Sequence, residues 1–251
     1  MGKSTEILSG VLVTSITANI ADPVYAAYVG GVIQPLFVAA AEEFNTRFLS
    51  IREEDRVHKV MNDAICKIQS RLEKGDIPRN DDLLNDSKVE PTEAKAILEG
   101  VLLKAKDEYE EKKLVYYSNL IAQMVFDSSW NYQRINAMLR MFDQLSYRQL
   151  QLMALAQRKG EINTPQWCVK FKRTPISFSY YDLFCEVVQL SNLAIFHQPG
   201  GSLMMGIGDK QALSPIGKAM AELMELPTIP QEELKELDEM IILLNDKILH
   251  M

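Results

Sequence analysis

Cysteine and histidine are scarce in this chain, with three of each among 251 residues. Cys66, Cys168 and Cys185 are odd in number and far apart, which argues against a disulfide framework and makes a reducing compartment the default. None has a Cys or His neighbour at metal-ligand spacing. His58, His197 and His250 stand apart from any Cys or paired-acid pattern, so they read as structural or surface groups, and no metal or cofactor is expected. A cationic surplus is missing too: 27 Lys and Arg face 34 Asp and Glu, a formal net charge of -7. That argues against bulk, sequence-independent binding to nucleic acid and leaves room for a local basic pocket.

Charge itself is missing from one place. Residues 7–41, "ILSGVLVTSITANIADPVYAAYVGGVIQPLFVAAA", hold Asp22 as their sole charged residue. Asp22-Pro23 splits the stretch into about 15 and about 18 residues, whereas one spanning helix needs roughly 20 apolar residues without a strong break. Gly10, Thr14, Ser15, Thr17, Ala18, Ala26, Ala27, Gly30 and Gly31 are small, and Ala26 with Gly30 and Ala27 with Gly31 repeat a small-xxx-small spacing. No cluster of Lys or Arg flanks the stretch before Arg47, so charge gives little guidance on topology. Three readings stay open. The stretch is two core helices, or a membrane-inserting or pore-forming segment with Thr14, Ala18, Ala27, Gly30 and Gly31 as its candidate pore and contact residues, or a secretory signal peptide. Lys3 and the apolar run suit a signal peptide, but Asn19 sits where the cleavage site wants a small residue.

Period-two alternation is rare and apolar spacings of three and four recur, so the protein is expected to be mainly α. Phe44, Phe48, Ile51, Met61, Ile65, Ile68 and Leu72 predict one long amphipathic helix, ended by Gly75 and Pro78. Residues 75–91 are rich in turn formers and charge and read as an exposed connection. Thr92 caps a helix carrying Ala96, Ile97, Val101 and Leu102; a second pattern over 109–126 has the stripe Leu114, Tyr117, Leu120, Ile121 and Met124. Shorter helices follow over 131–142 and, after a cap at Ser146, to Arg158.

The C-terminal part reads as a helix, a strand over 195–197, a turn at Pro199, a strand near 203–207, and a helix capped by Ser214 with Pro215 at its first position. This is the layout of a winged-helix-like module with a small β-hairpin. Leu234, Leu237, Ile241, Leu244 and Ile248 give the last helix a heptad-like spacing, suited to packing on the domain or on a second copy. The expected domains are apolar N-terminal helices over 1–41, a central helical bundle over 42–160, and the winged module with its C-terminal helix over 161–251.

No catalytic constellation appears, and an enzyme is not expected. "GKST" at residues 2–5 has the end of a phosphate-binding loop without its first glycine or preceding strand, and Glu6 stands where a myristoylation signal wants Ser or Thr. "GGSLMMGIGDK" suits a hairpin better than a phosphate cradle, and the pairs Glu53-Glu54 and Glu110-Glu111 lie on charged helical faces. Residues 179–208 contain no Lys or Arg, which argues against sequence-specific reading of double-stranded DNA by the winged module. Basic residues sit elsewhere. Arg134, Arg140, Arg148, Lys170, Lys172 and Arg173, if they converge, would form a pocket for phosphate or a short oligonucleotide, with Trp130, Trp167 or Phe171 for base stacking. The alternative is a solvated edge of the domain.

"DEYEEKKLVYYSNLIAQMVFDSS" followed by "FDQLSYRQLQLMALAQ" resembles the abortive-infection alpha (Abi-alpha) family of bacterial defence proteins, in which a Glu-rich helix precedes a Leu/Tyr-x-Asn-Leu-Leu-Ala segment and an x-x-Gln-Leu-Ser helix start follows. The matching positions are 116–123 and 143–149, and the resemblance extends over about residues 55–160 together with the plan of an apolar opening and a winged end. In plan the chain is similar to membrane effectors of antiphage operons, including the channel effector of the Hailong system, which short DNA oligomers made by a nucleotidyltransferase keep closed. The resemblance implies a homo-oligomeric channel, a tetramer for instance, in the bacterial inner membrane or in the cytoplasm before insertion. It implies that infection removes the inhibitor and that the opened membrane stops growth. Pro23 and Pro35 depart from an uninterrupted spanning region, and the family motif assigns no ligand contact. The competing expectation is a soluble adaptor or regulator whose winged module binds a protein partner.

Overall fold

The computed structural model describes residues 29–85, 92–163, 178–199 and 210–249, which fall in two compact units divided between Asp143 and Gln144. The protein is mainly helical, with a small three-stranded antiparallel sheet.

In the first unit a π-helical turn, Val29–Ile33, leads into α1 (Gln34–Asn45), with Pro35 in its first turn. Helix α2 (Ile51–Glu73) starts from a reciprocal cap. The Ser50 hydroxyl accepts the Glu53 N–H at 3.4 Å, and the Ser50 N–H donates to the Glu53 carboxylate at 2.7 Å. These bonds, with Lys106 nearby, hold the Glu53 carboxyl down at about 2. The cap corrects the expectation of one continuous helix from Phe44: the chain breaks over 46–50, and Phe48 and Ile51 are 101% and 80% exposed. From Val57 onward the predicted stripe is buried.

The stretch 75–91 is also corrected where it is described. Instead of an exposed connection, Pro78 and Arg79 are buried and Leu83 and Leu84 of the short helix α3 (Asp82–Asn85) pack inward. Thr92 caps α4 (Glu93–Asp107), its hydroxyl accepting the Lys95 N–H at 3.3 Å. After a 3-10 turn at Glu111–Lys113 comes α5 (Leu114–Phe126), on which every residue from Tyr116 to Ala122 is buried. It lies along α2 and also packs on α4, which in turn carries α1 and α6 (Tyr132–Asp143).

In the second unit α7 (Tyr147–Lys159) takes the central place, buried continuously from Leu152 to Ala156. Ser146 and Gln149 form its capping box. Around it lie β1 (Ile162–Asn163), α8 (Phe178–Asn192), β2 (Phe196–His197), β3 (Lys210–Leu213), α9 (Pro215–Leu223) and α10 (Gln231–Leu249). The sheet order is β1-β3-β2, with Ile162 opposite Gln211 and Phe196 opposite Leu213. The strand expected near 203–207 lies outside the described residues; β2 pairs with Lys210–Leu213. A two-residue strand such as β1 is too short for alternation to reveal it.

Backbone geometry fixes the joint between α8 and α9. The N–H of Ala194 donates to Ser191 and that of Ile195 to Leu190, both at 2.9 Å, a Schellman closure that puts Ala194 at φ 56°. The Ile195 carbonyl then accepts from Ser214, and it lies so close to Gly217 that a β-carbon there would come within 2.3 Å of it. Gly217→Ala is therefore expected to destabilise the second unit by about 1–3 kcal/mol. Ala194→Gly should stabilise it by about 1 kcal/mol by removing the left-handed penalty. Urea unfolding of the two variants beside the wild type reads both signs, and midpoint shifts in the same direction would refute this account of the joint.

Candidate functional site

The charge-free opening block enters the described structure at Val29. One face of its end is core: Val29, Ile33, Phe37, Ala40, Ala41 and Phe44 are each at most 4% exposed, and α1 packs on α4. Burial of Ile33, Phe37 or Phe44 contributes about 1.5–3 kcal/mol each. The other face has no charge either. Gly31 and Pro35 are exposed, Val32, Leu36, Val38 and Ala39 are partly so, and the first charges come at Glu42 and Glu43. A helix on a soluble bundle normally carries charges on its outer side. Of the candidate pore residues, Gly30 is half-buried and Gly31 is open to solvent, with nothing within 4 Å of an added β-carbon. Thr14, Ala18 and Ala27 lie outside the described residues. No helix among those described is long and apolar enough to cross a membrane.

Arg47 closes this docked segment. Its guanidinium reaches Glu43 on α1 at 3.0 Å and Glu99 on α4 at 2.5 Å, and lies 5.2 Å from the centre of the Phe44 ring. These groups are about a third to a half exposed, so the ion pairs steer more than they stabilise.

The basic residues singled out in the sequence are engaged locally. Arg134 and Arg140 share α6 but leave it about 120° apart, since six residues turn a helix through about 600°. Arg134 lies 4.8 Å over the Trp130 ring and donates to Ser129; Arg140 donates to Asn136 on its own helix. Trp130 is 5% exposed, a core residue. Arg148 belongs to the second unit and pairs with Glu186 at 2.7 Å. Lys170, Lys172, Arg173, Trp167 and Phe171 fall outside the described residues. Among those described, no group of three or more His, Cys, Asp or Glu could hold a metal ion.

Two buried cations escaped the sequence reading. Arg79 forks onto Asp81 and donates to the carbonyls of Met124, Asp127 and Trp130 at the end of α5. Lys113, at the start of α5, pairs with Glu108, and both are almost fully buried. Glu108 also accepts from the Glu110 N–H at 2.9 Å. Burial, then the Glu108 charge, pushes the Tyr117 hydroxyl far above its ordinary pKa. The signal available in the sequence was position alone, a Lys directly before an apolar helix. Comparison with known proteins finds no matching family model, no matching curated protein and no matching solved structure.

Lys113→Met leaves the Glu108 carboxylate buried without its cation and is expected to cost the first unit about 3–5 kcal/mol. Adding Glu108→Gln should recover a large part, and a double-mutant cycle by urea unfolding measures the coupling; additive losses would show that the pair is not coupled. His58 supplies a pH test. Burial holds its pKa below the ordinary 6.5, against the opposing pull of Glu54 and Asp55. As pH falls through 6.5 the unfolded chain takes the proton first, so stability drops, and His58→Gln is expected to flatten the urea midpoint between pH 7.5 and 5.5.

Proposed function

We propose that the chain is a membrane-acting effector of bacterial antiphage defence, in which the apolar opening block forms or gates an ion channel or pore in a homo-oligomer and so causes abortive infection. The observation that carries this reading is the end of that block, an α1 segment with a buried apolar face and an outer face free of charge up to Glu42. The segment up to Ala41 can leave a protein core for lipid without dragging a charge to the middle of the bilayer, where one costs about 2.5–3.5 kcal/mol on insertion scales. The resemblance to the Abi-alpha family and the Hailong channel effector adds the biological setting and the control by a nucleotide or short oligonucleotide. The basic residues of the second unit and of 164–177 are the place to look for that ligand.

The second unit supports a winged-helix-like reading through its element order. Its described elements run helix, strand, helix, strand, strand, with β1 paired to β3 and β3 to β2, an order compatible with such a module. With no Lys or Arg over 179–208, it suits protein contacts better than DNA. This topology, together with the packed inner face of α1, also favours the second reading, a soluble adaptor or regulator.

Induction of the full chain is expected to depolarise the bacterial inner membrane, and Gly31→Asp, which places a charge in open space and leaves the core untouched, is expected to abolish depolarisation. Depolarisation that persists in Gly31→Asp would remove the block from the pore. A full chain that neither depolarises cells nor fractionates with membranes would support the adaptor.

A further inference from the structure

Helix α10 gives its own unit one face and keeps another in solvent. It packs on α7 and β1, and Leu234, Leu237 and Ile241 are at most 4% exposed, so the heptad-like stripe is, that far, used within the unit. Polar ties hold the same side: the Tyr147 hydroxyl donates to Glu233 at 2.8 Å, and Lys159 pairs with Asp238. The helix then runs on to Leu249. Just past Ile241 come the two most exposed large apolar side chains described in the second unit, Ile242 and Leu243, at 50% and 58%.

A second stripe lies on the open side. At about 100° per residue, the positions of Glu236, Met240, Leu243 and Lys247 fall within about 60° of one another, centred about 120° from the buried stripe. Glu236 and Leu243 are exposed and Met240 is partly so. The spacing of four, three and four is the heptad spacing that lets one helix lie along another. It is the same read from either end, while the charge changes sign from one end to the other. A two-fold axis crossing between Ile241 and Ile242 therefore sets Met240 opposite the second copy's Leu243, and Glu236 opposite its Lys247. Parallel pairing would instead set Glu236 against Glu236 and Lys247 against Lys247.

We infer that α10 is a contact between two copies of this chain, paired antiparallel along the positions of Glu236, Met240, Leu243 and Lys247. Met240 and Leu243 supply the burial. The opposed charges set direction and register, since exposed ion pairs add little affinity of their own. Four positions span only about 17 Å of helix, less than a standard interface uses, so the dimer is weak and half-formed at about 10–100 μM. The inference goes beyond the membrane reading, because it puts a contact between copies on the last helix and a soluble adaptor would carry it equally.

Sedimentation equilibrium of the full chain in lipid-free buffer, between about 2 and 300 μM, is expected to show a concentration-dependent dimer. Glu236→Lys alone and Lys247→Glu alone set like charges opposite each other, and each should weaken that dimer at least about tenfold. Both changes in one chain, or the two single variants mixed, restore opposite charges in the antiparallel arrangement and should return the affinity to within about twofold of the wild type. Leu243→Glu alters a side chain exposed in the single copy, so it should abolish the dimer while urea unfolding stays cooperative. A wild-type chain that stays monomeric throughout would overturn the inference. So would association indifferent to the charges at 236 and 247, which would assign it to another surface such as the apolar opening block. Neither result bears on depolarisation, so the membrane reading stands or falls separately.

Discussion

The burial of α5 on every side from Tyr116 to Ala122 is the constraint on which the first unit depends. A helix buried around its circumference over two turns gains apolar burial there but has little water near its ends, where backbone groups lack helical partners. Each end is met by a buried cation. Arg79 fits the C-terminal end, where the helix dipole is negative and free carbonyls accept from its Nη1, while its Nε and Nη2 donate to Asp81. Lys113 sits at the positive end and would be repelled, which is why Glu108 lies buried beside it. On the helix itself, Lys67 reaches from α2 to the Ser118 hydroxyl, which donates to Val115. The polar groups follow from the enclosure, and α2 and α4 are positioned by the surfaces that enclose.

The second unit solves the same problem with α7, surrounded by three helices and the small sheet. Its helix start was legible at Ser146, since a hydroxyl followed three residues later by Gln149 satisfies two donors locally. The same signature, Ser50 with Glu53, was present at the start of α2 and lost to the apolar spacing running through it. The spacing itself was sound for a helix. It recorded two stripes 120° apart as one, because Phe44, Phe48 and Ile51 continue the face of α1, and the burial of α2 starts on another.

Other features were legible in proportion to how local their cause is. Thr92 and Ser214 cap the predicted helices, and the stripe of α5 from Leu114 to Met124 is buried. The burial of Arg79, Leu83 and Leu84 was not legible, since turn formers and charges mark that stretch as surface, and its partners, the carbonyls that end α5, are about 45 residues away. Strand β1 was missed because its pairing with Gln211 is likewise distant. Of the candidate site, the absence of charge over 7–41 was visible at once, whereas its docking on α4 and the Arg47 bridge to Glu99 depend on contacts that no window of sequence contains.

Arg79 has one more consequence. The turn at 127–130 would ordinarily be a place where a bundle frays first, but its carbonyls are held by a guanidinium belonging to a segment that precedes α4. Opening that turn would strand a charge inside the protein, so the local event becomes as expensive as releasing 78–81 along with it. The two stretches therefore form one cooperative unit of unfolding, and the end of α5 is protected by a part of the chain that lies about 45 residues before it.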